Sequence, residues 1–219
     1  PFSANNFKGK EAAKKALQQY FNLPERNDVP LIGFVGRLAE QKGIELVARA
    51  IGGMLQQDLQ FVLLGTGQHW AENFFPDVAA RYPDKFATHI GYSNPLAHQI
   101  EAGSDFFLMP SLFEPCGLNQ LYSLSYGTLP IVRATGGLND TIENYDPETG
   151  SGTGFKFDWA TGDALYGTIK WALDTWYEKP EHITAMKKRA MQAQFGWEES
   201  AREYERIYYY ILGKHHAFG

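Results

Sequence analysis

The chain has a single cysteine, Cys116, so no disulfide can close within it, and a lone thiol fits a reducing compartment. Long apolar runs are missing. Segments such as "FFLMP" (106–110) fall far short of the ~20 residues that span a bilayer. No secretory leader opens the sequence, and no initiator methionine does; the start "PFSANNFKGKEAAKK" reads as a processed start or a piece cut from a longer protein. Positive charge is in deficit, with 20 Lys and Arg against 25 Asp and Glu and a net charge of −5. That balance argues against nucleic acid or an anionic membrane as main partner, while leaving room for a small anion met by local charge. Metal-ligand spacing is absent too. The six histidines (69, 89, 98, 182, 215, 216) form no HExxH and no Cys/His pair, so no metal is expected. His215 and His216, in the C-terminal tail, are expected to be disordered. A complete Gly-x-Gly-x-x-Gly is lacking as well: after "GTGQ" the third glycine is replaced by Trp70.

What remains is ample for a core, at 44% hydrophobic and 21% charged. Apolar runs at 31–36, 59–65, 86–91, 106–110 and 129–133 are continuous rather than alternating, as in strands covered on both faces; "GFKFD" (154–158) is a weaker sixth. Helical patterns fill the gaps, at about 9–21, 43–55, 69–82, 95–102, 118–126, 137–144 and 163–177. Two more follow, from Pro180 to about Gln194 and from Trp197 to Leu212. The alternation predicts a doubly wound α/β domain with a Rossmann-like parallel sheet and C-terminal helices. Neither repeats nor low-complexity tracts interrupt it, and "DPETGSGTG" (146–154) reads as a surface loop within a single domain.

Ligands of open parallel sheets bind beyond the carboxyl ends of the strands. Five loops there carry glycine, proline and a few polar groups: "GRLAEQKG", "GTGQ", "GYSNP", "PSLFEPCG" and "RATGGLND". In the first, Arg37 and Lys42 stand beside a helix start, a combination that suits a diphosphate. "GTGQ" is equally a tight turn or a close approach to ligand. Tyr92 in "GYSNP" can stack on a nucleobase or pack its own loop. "FEPCGLNQ" is the strongest local signal. Glu114 can accept from sugar hydroxyls, and the free N–H groups of Cys116, Gly117, Leu118 and Asn119 can donate to them. Cys116 has no histidine near it in sequence to activate it, so it reads as a small residue facing the ligand. In "ATGGLNDT", Thr135 and Thr141 are candidate donors and Gly136 and Gly137 suit close approach to phosphate.

"GRLAEQKG", "FEPCGLNQLYSLSYGTLPIVRATGGLNDT" and "FGWEESAREYERIYY" together resemble the C-terminal half of bacterial glycogen synthases and plant starch synthases. These are the ADP-glucose-dependent members of glycosyltransferase family 5. The resemblance is in order and covers nearly the whole chain. It implies one half of a GT-B fold: the donor-nucleotide domain, over 1–219, with the N-terminal acceptor domain and its Lys-Thr-Gly-Gly loop elsewhere. By resemblance, Arg37 and Lys42 hold the diphosphate, Tyr92 lies against the adenine, Glu114 and the backbone at Cys116–Asn119 hold the glucosyl hydroxyls, and Thr135–Gly137 lie near the phosphates. Related retaining transferases carry a second glutamate where this chain has Tyr122, so no ribose-binding carboxylate carries over.

The reaction implied is retaining transfer of glucose from ADP-glucose to an α-1,4-glucan. It needs no metal or other cofactor, and implies a bacterial cytoplasmic or plastid stromal setting. A UDP-sugar-dependent GT-B enzyme and a non-catalytic nucleotide-binding module remain as alternatives. In this fold the last helix crosses to the partner domain. Its Trp197 and Tyr204 are expected in the core, its other tyrosines exposed and able to promote dimers.

Overall fold

The computed structural model describes residues 2–193 and 195–213, so His215 and His216 lie outside the described residues. Six strands alternate with helices. β1 (Leu31–Val35), β2 (Gln60–Gly65), β3 (Phe86–Ile90), β4 (Phe106–Met109), β5 (Leu129–Arg133) and β6 (Phe155–Phe157) form one parallel sheet in the order β3-β2-β1-β4-β5-β6. The weak "GFKFD" pattern is therefore a true edge strand, paired to β5. The continuous apolar runs have the expected cause. Every residue of β2 is buried, as are all four of β4, because the flanking helices cover the sheet.

The helices are α1 (Lys8–Tyr20), α2 (Ile44–Met54), α3 (His69–Arg81), α4 (Asn94–Gly103), α5 (Asn119–Ser125), α6 (Gly136–Thr141), α7 (Gly162–Glu178), α8 (Pro180–Gln192) and α9 (Trp197–Ile211). Their starts follow local chemistry. The Ser93 hydroxyl accepts from the Leu96 N–H at the head of α4, and Thr161 accepts from Ala164 at the head of α7. Pro180 opens α8, where no N–H is needed. α2 packs on α7 and α1 on α4. Each buries an apolar stripe, such as Ile44, Val47, Ile51 and Met54 on α2.

One expectation fails. Trp197 and Tyr204 are not core: they are 87% and 59% exposed. Among the described side chains of α9 only Tyr209 is even half-buried, so most of the apolar face of that helix is uncovered. Helical periodicity marks a face that needs a partner, but not where that partner lies.

The strand order reverses between β1 and β4. From β1 the chain steps outward to β2 and β3, then returns to lay β4 on the other side of β1. The loops leaving β1 and β4 therefore diverge, and a crevice opens at their carboxyl ends.

Candidate functional site

The crevice is built from the two loops that flank this switch point. After β1 the chain makes a short 3-10 turn, Glu40–Lys42, before α2. Lys42 reaches across to the β4 loop, its Nζ 2.5 Å from Oε2 of Glu114. Arg37 is held on the same loop by Gln41 Oε1 at 2.7 Å, and Gln41 Nε2 donates to the Phe113 carbonyl at 3.1 Å. The Leu112 N–H donates to the Gln41 carbonyl. Thus both cations are tied, directly or through Gln41, to residues 112–114.

Glu114 is nearly buried, at 7% exposure. Its Oε2 accepts from Lys42 and, at 3.1 Å, from the Ser111 hydroxyl, while Oε1 has no hydrogen-bond donor among the described residues. A buried carboxylate needs such partners, and its free oxygen faces the space where a hydroxyl can meet it. Beyond Glu114 the chain turns at Gly117, whose φ of +77° lies in the left-handed region. That turn leaves the N–H groups of Cys116, Gly117, Leu118 and Asn119 without acceptors among the described residues. The Cys116 thiol is free and exposed.

Two clefts meet here. One, of about 200 Å³, is lined by Phe34, Lys42, Met109, Glu114, Leu118 and Asn119. The second, of about 230 Å³, is lined by Arg37, Thr66, Tyr92, Ser93 and Asn94. They share Val35 and Gly36 at the end of β1. The candidate residues therefore divide: Lys42, Glu114, Gly117, Leu118 and Asn119 on one side, Arg37 and Tyr92 on the other. Tyr92 is 87% exposed, so its ring presents a free face rather than packing its own loop. Asn119 donates its side-chain amide to the Val35 carbonyl at 3.2 Å, closing the floor between β1 and α5.

Thr135, Gly136 and Gly137 line neither cleft. They lie behind the β4 loop, and the Gly137 N–H donates to the Glu114 carbonyl at 3.0 Å. A side chain at either glycine would drive its Cβ into that loop, 2.3 Å from the Glu114 oxygen at position 136 and 2.1 Å from the Cys116 oxygen at 137. Their smallness serves the seating of Glu114. Thr141 is also not a free donor, because its hydroxyl is bonded to the Gly137 carbonyl at 2.5 Å. In "GTGQ", the Thr66 hydroxyl and the Gly67 N–H both go to Glu72 on α3. The Thr66 bond first, and the Gly67 bond with it, hold the Glu72 carboxyl below its usual range. This loop is a closed turn that also pairs with the β1 loop, at Leu38 and Gly67.

Three residues escaped the sequence reading. Ser111 orients Glu114, and Gln41 links Arg37 to the β4 loop. Arg133, at the end of β5, donates to the carbonyls of Ser111 and Leu112 and so fixes that loop from below. All three stand inside quoted motifs. A half-buried arginine at a strand end, which must find acceptors, was the available signal. Among the described residues no group of three or more His, Cys, Asp or Glu is placed to hold a metal, and no helix is long and apolar enough to cross a membrane.

The family model described as glycosyl transferases group 1 matches residues 17–192, most of the chain and every element of the crevice. The chain belongs to this family. Among its relatives, glycogen synthase 1 of Geobacter metallireducens is 54% identical over 97% of this chain and 42% of that protein. Glycogen synthase of an Anaeromyxobacter species is 50% identical over 94% and 43%. A solved structure titled as the catalytic domain of starch synthase IV from Arabidopsis thaliana, bound to ADP and acarbose, superposes with a TM-score of 0.86 at 34% identity. It covers 94% of this chain and 43% of that one. The chain thus spans under half the length of these relatives. The parallel sheet with its flanking helices is that of one half of a GT-B glycosyltransferase.

Proposed function

We propose that this chain is the donor-nucleotide domain of a glycogen or starch synthase, a retaining glucosyltransferase that extends an α-1,4-glucan from ADP-glucose. The observation that carries the reading is the Lys42–Glu114 pair across the β1/β4 switch point, in a cleft continuous with one bearing Arg37 and Tyr92. A sugar nucleotide fits the two clefts end to end. Its base lies beside Tyr92, its diphosphate crosses Val35 and Gly36 between Arg37 and Lys42, and its glucosyl group rests on Glu114 and the N–H groups of Cys116–Asn119. The names of the relatives, and the ADP and acarbose in the starch synthase structure, support the choice of substrates.

The chemistry follows from charge. As the glycosidic bond to the diphosphate breaks, the departing ADP gains negative charge, and Arg37 and Lys42 stabilise it where it develops. Each such contact supplies about 2–4 kcal/mol in the transition state, without a metal. Glu114 positions the sugar ring by accepting from its hydroxyls; it is not assigned as a nucleophile. The acceptor glucan binds a separate N-terminal domain. The domain on its own therefore binds nucleotide and does not turn over.

Calorimetric titration with ADP and UDP tests the reading. ADP binds in preference to UDP, and Arg37→Ala or Lys42→Ala weakens it about tenfold or more, the worth of one charge-assisted bond. Glu114→Gln leaves ADP affinity nearly unchanged and removes the extra affinity for ADP-glucose. Equal binding of UDP would overturn the base assignment, and normal turnover of glycogen by this chain alone would overturn the division of labour.

A further inference from the structure

Three lysines converge at the end of the sheet opposite the crevice. Lys10 and Lys14 come from α1 and Lys187 from α8, around Asp105, which directly precedes β4. Both oxygens of Asp105 are taken. Lys187 Nζ sits 2.8 Å from Oδ1 and Lys14 Nζ 2.8 Å from Oδ2, which also accepts the Leu31 N–H at 3.1 Å. Among the described residues Lys10 has no carboxylate within ion-pair distance. Its Nζ donates to the Thr128 hydroxyl oxygen at 2.7 Å and the Ala102 carbonyl at 3.1 Å. Lys10 and Lys14 are 5% and 4% exposed. The three lysines therefore share one buried carboxylate, and Glu11, which also lines the cavity, is exposed.

This imbalance has an electrostatic signature. Burial first, then the charge of Lys187, holds the Lys10 ammonium well below its usual range; Asp105 offsets this in part and Lys14 adds to it. Burial would raise the Asp105 carboxyl, but Lys187, Lys14 and Lys10 outweigh it and hold it well below the usual range. Each ammonium carries three hydrogens. Lys187 directs one to Asp105, while Lys10 and Lys14 each direct two to protein oxygens, so every one of the three has a donor left. These groups line a cavity of about 370 Å³, walled by Phe7 and the Trp176 ring, over which Lys187 Nζ lies at 4.7 Å.

We propose that this cavity is a second anion site, distinct from the crevice, which takes the phosphate group of a small phosphorylated metabolite or inorganic phosphate. A dianion there meets three lysines with unused donors, and its charge offsets the burial and the Lys187 charge that oppose protonation of Lys10. The cavity holds more than a bare phosphate, which leaves room for the body of a small phosphorylated metabolite. Occupancy joins α1 to α8 across the N-terminal end of β4. The inference does not depend on the glycosyl-transfer reading.

The test follows the Trp176 indole N–H resonance in ¹⁵N-labelled protein, assigned by Trp176→Phe. It is done in the Arg37→Ala background, so that anions at the crevice contribute little. Inorganic phosphate and a hexose 6-phosphate are titrated at constant ionic strength, with sodium chloride as reference. The expected result is a saturable shift absent with chloride. Its Kd rises about tenfold or more in Lys187→Met and in Lys10→Met, while amide resonances remote from the cavity stay in place. Lys187→Met keeps Asp105 paired with Lys14, so loss of binding there is not loss of the fold. Tighter binding of the hexose phosphate identifies a metabolite site, and equal binding a phosphate site. No saturable shift with either ligand, or a Kd unchanged from the Arg37→Ala parent in both lysine variants, overturns the proposal.

Discussion

The Cβ that Gly137 lacks would fall 2.1 Å from the Cys116 carbonyl oxygen, so the β4 loop sits where it does only because position 137 is bare. Gly137→Ala is expected to push that loop outward and to cost about 1–3 kcal/mol of stability, as overpacking does. Denaturant unfolding measures the cost, and weakened ADP binding in the same variant reports that Glu114 has moved. A second residue sets a pH dependence. Burial raises the Glu101 carboxyl from 4.5 to about 7, and its one bond, to His98 at 2.9 Å, offsets this only in part. The folded state therefore holds this proton more tightly than the unfolded chain does. The corresponding stability is full below pH 4.5 and is lost as pH rises through about 7. Unfolding in urea at several pH values should show a decline of about 1–2 kcal/mol across that window, flattened in Glu101→Gln. At this scale the sequence was legible for charged and aromatic residues on strand-end loops. Arg37, Lys42, Tyr92 and Glu114 all reach the two clefts. It was ambiguous for glycines, since Gly117 lines a cleft while Gly136 and Gly137 abut the backbone of the β4 loop, and spacing does not say which is close.

Elements meet at Asp105. One carboxylate ties α1 through Lys14, α8 through Lys187 and β1 through the Leu31 N–H. Asp105→Asn leaves the lysines buried without a counter-charge, and about 3–5 kcal/mol of stability should be lost, read from the denaturant midpoint. The depressed carboxyl contributes its stability above the unfolded value of 3.8, and that contribution is lost as pH falls toward its folded pKa. The wild-type protein should therefore weaken in acid and the variant less so. Strands and helices were legible here within a few residues, even the short β6, because apolar runs and glycine-rich ends are local signals. Asp105 was not, since its three partners lie 74 to 91 positions away in sequence.

For the whole molecule, α9 stands apart. Trp197, Tyr204, Ile207, Tyr208, Tyr210 and Ile211 are all more than half exposed, while the core from Leu17 to Ala190 closes without them. A chain ending at Gly196 is expected to keep its midpoint of thermal unfolding within a few degrees, since little burial is lost. It should also lose the concentration-dependent self-association that an uncovered apolar face promotes. Sedimentation of both forms over a range of concentrations decides this. Midpoints far apart would mean that α9 is part of the core, and a monomeric parent would mean that its face is not adhesive.

By itself the sequence determined the parallel sheet, the alternation of elements and the five loops on which a ligand site had to lie. These depend on periodicity and turn chemistry, which are properties of neighbouring residues. Only the tertiary structure decided that the β1 and β4 loops are tied together by Lys42, Glu114 and Gln41. It alone showed that Gly136 and Gly137 abut that loop, and that three lysines crowd one aspartate at the far end. Those outcomes rest on distances between residues remote in sequence, set by a strand order in which β4 returns to the side of β1.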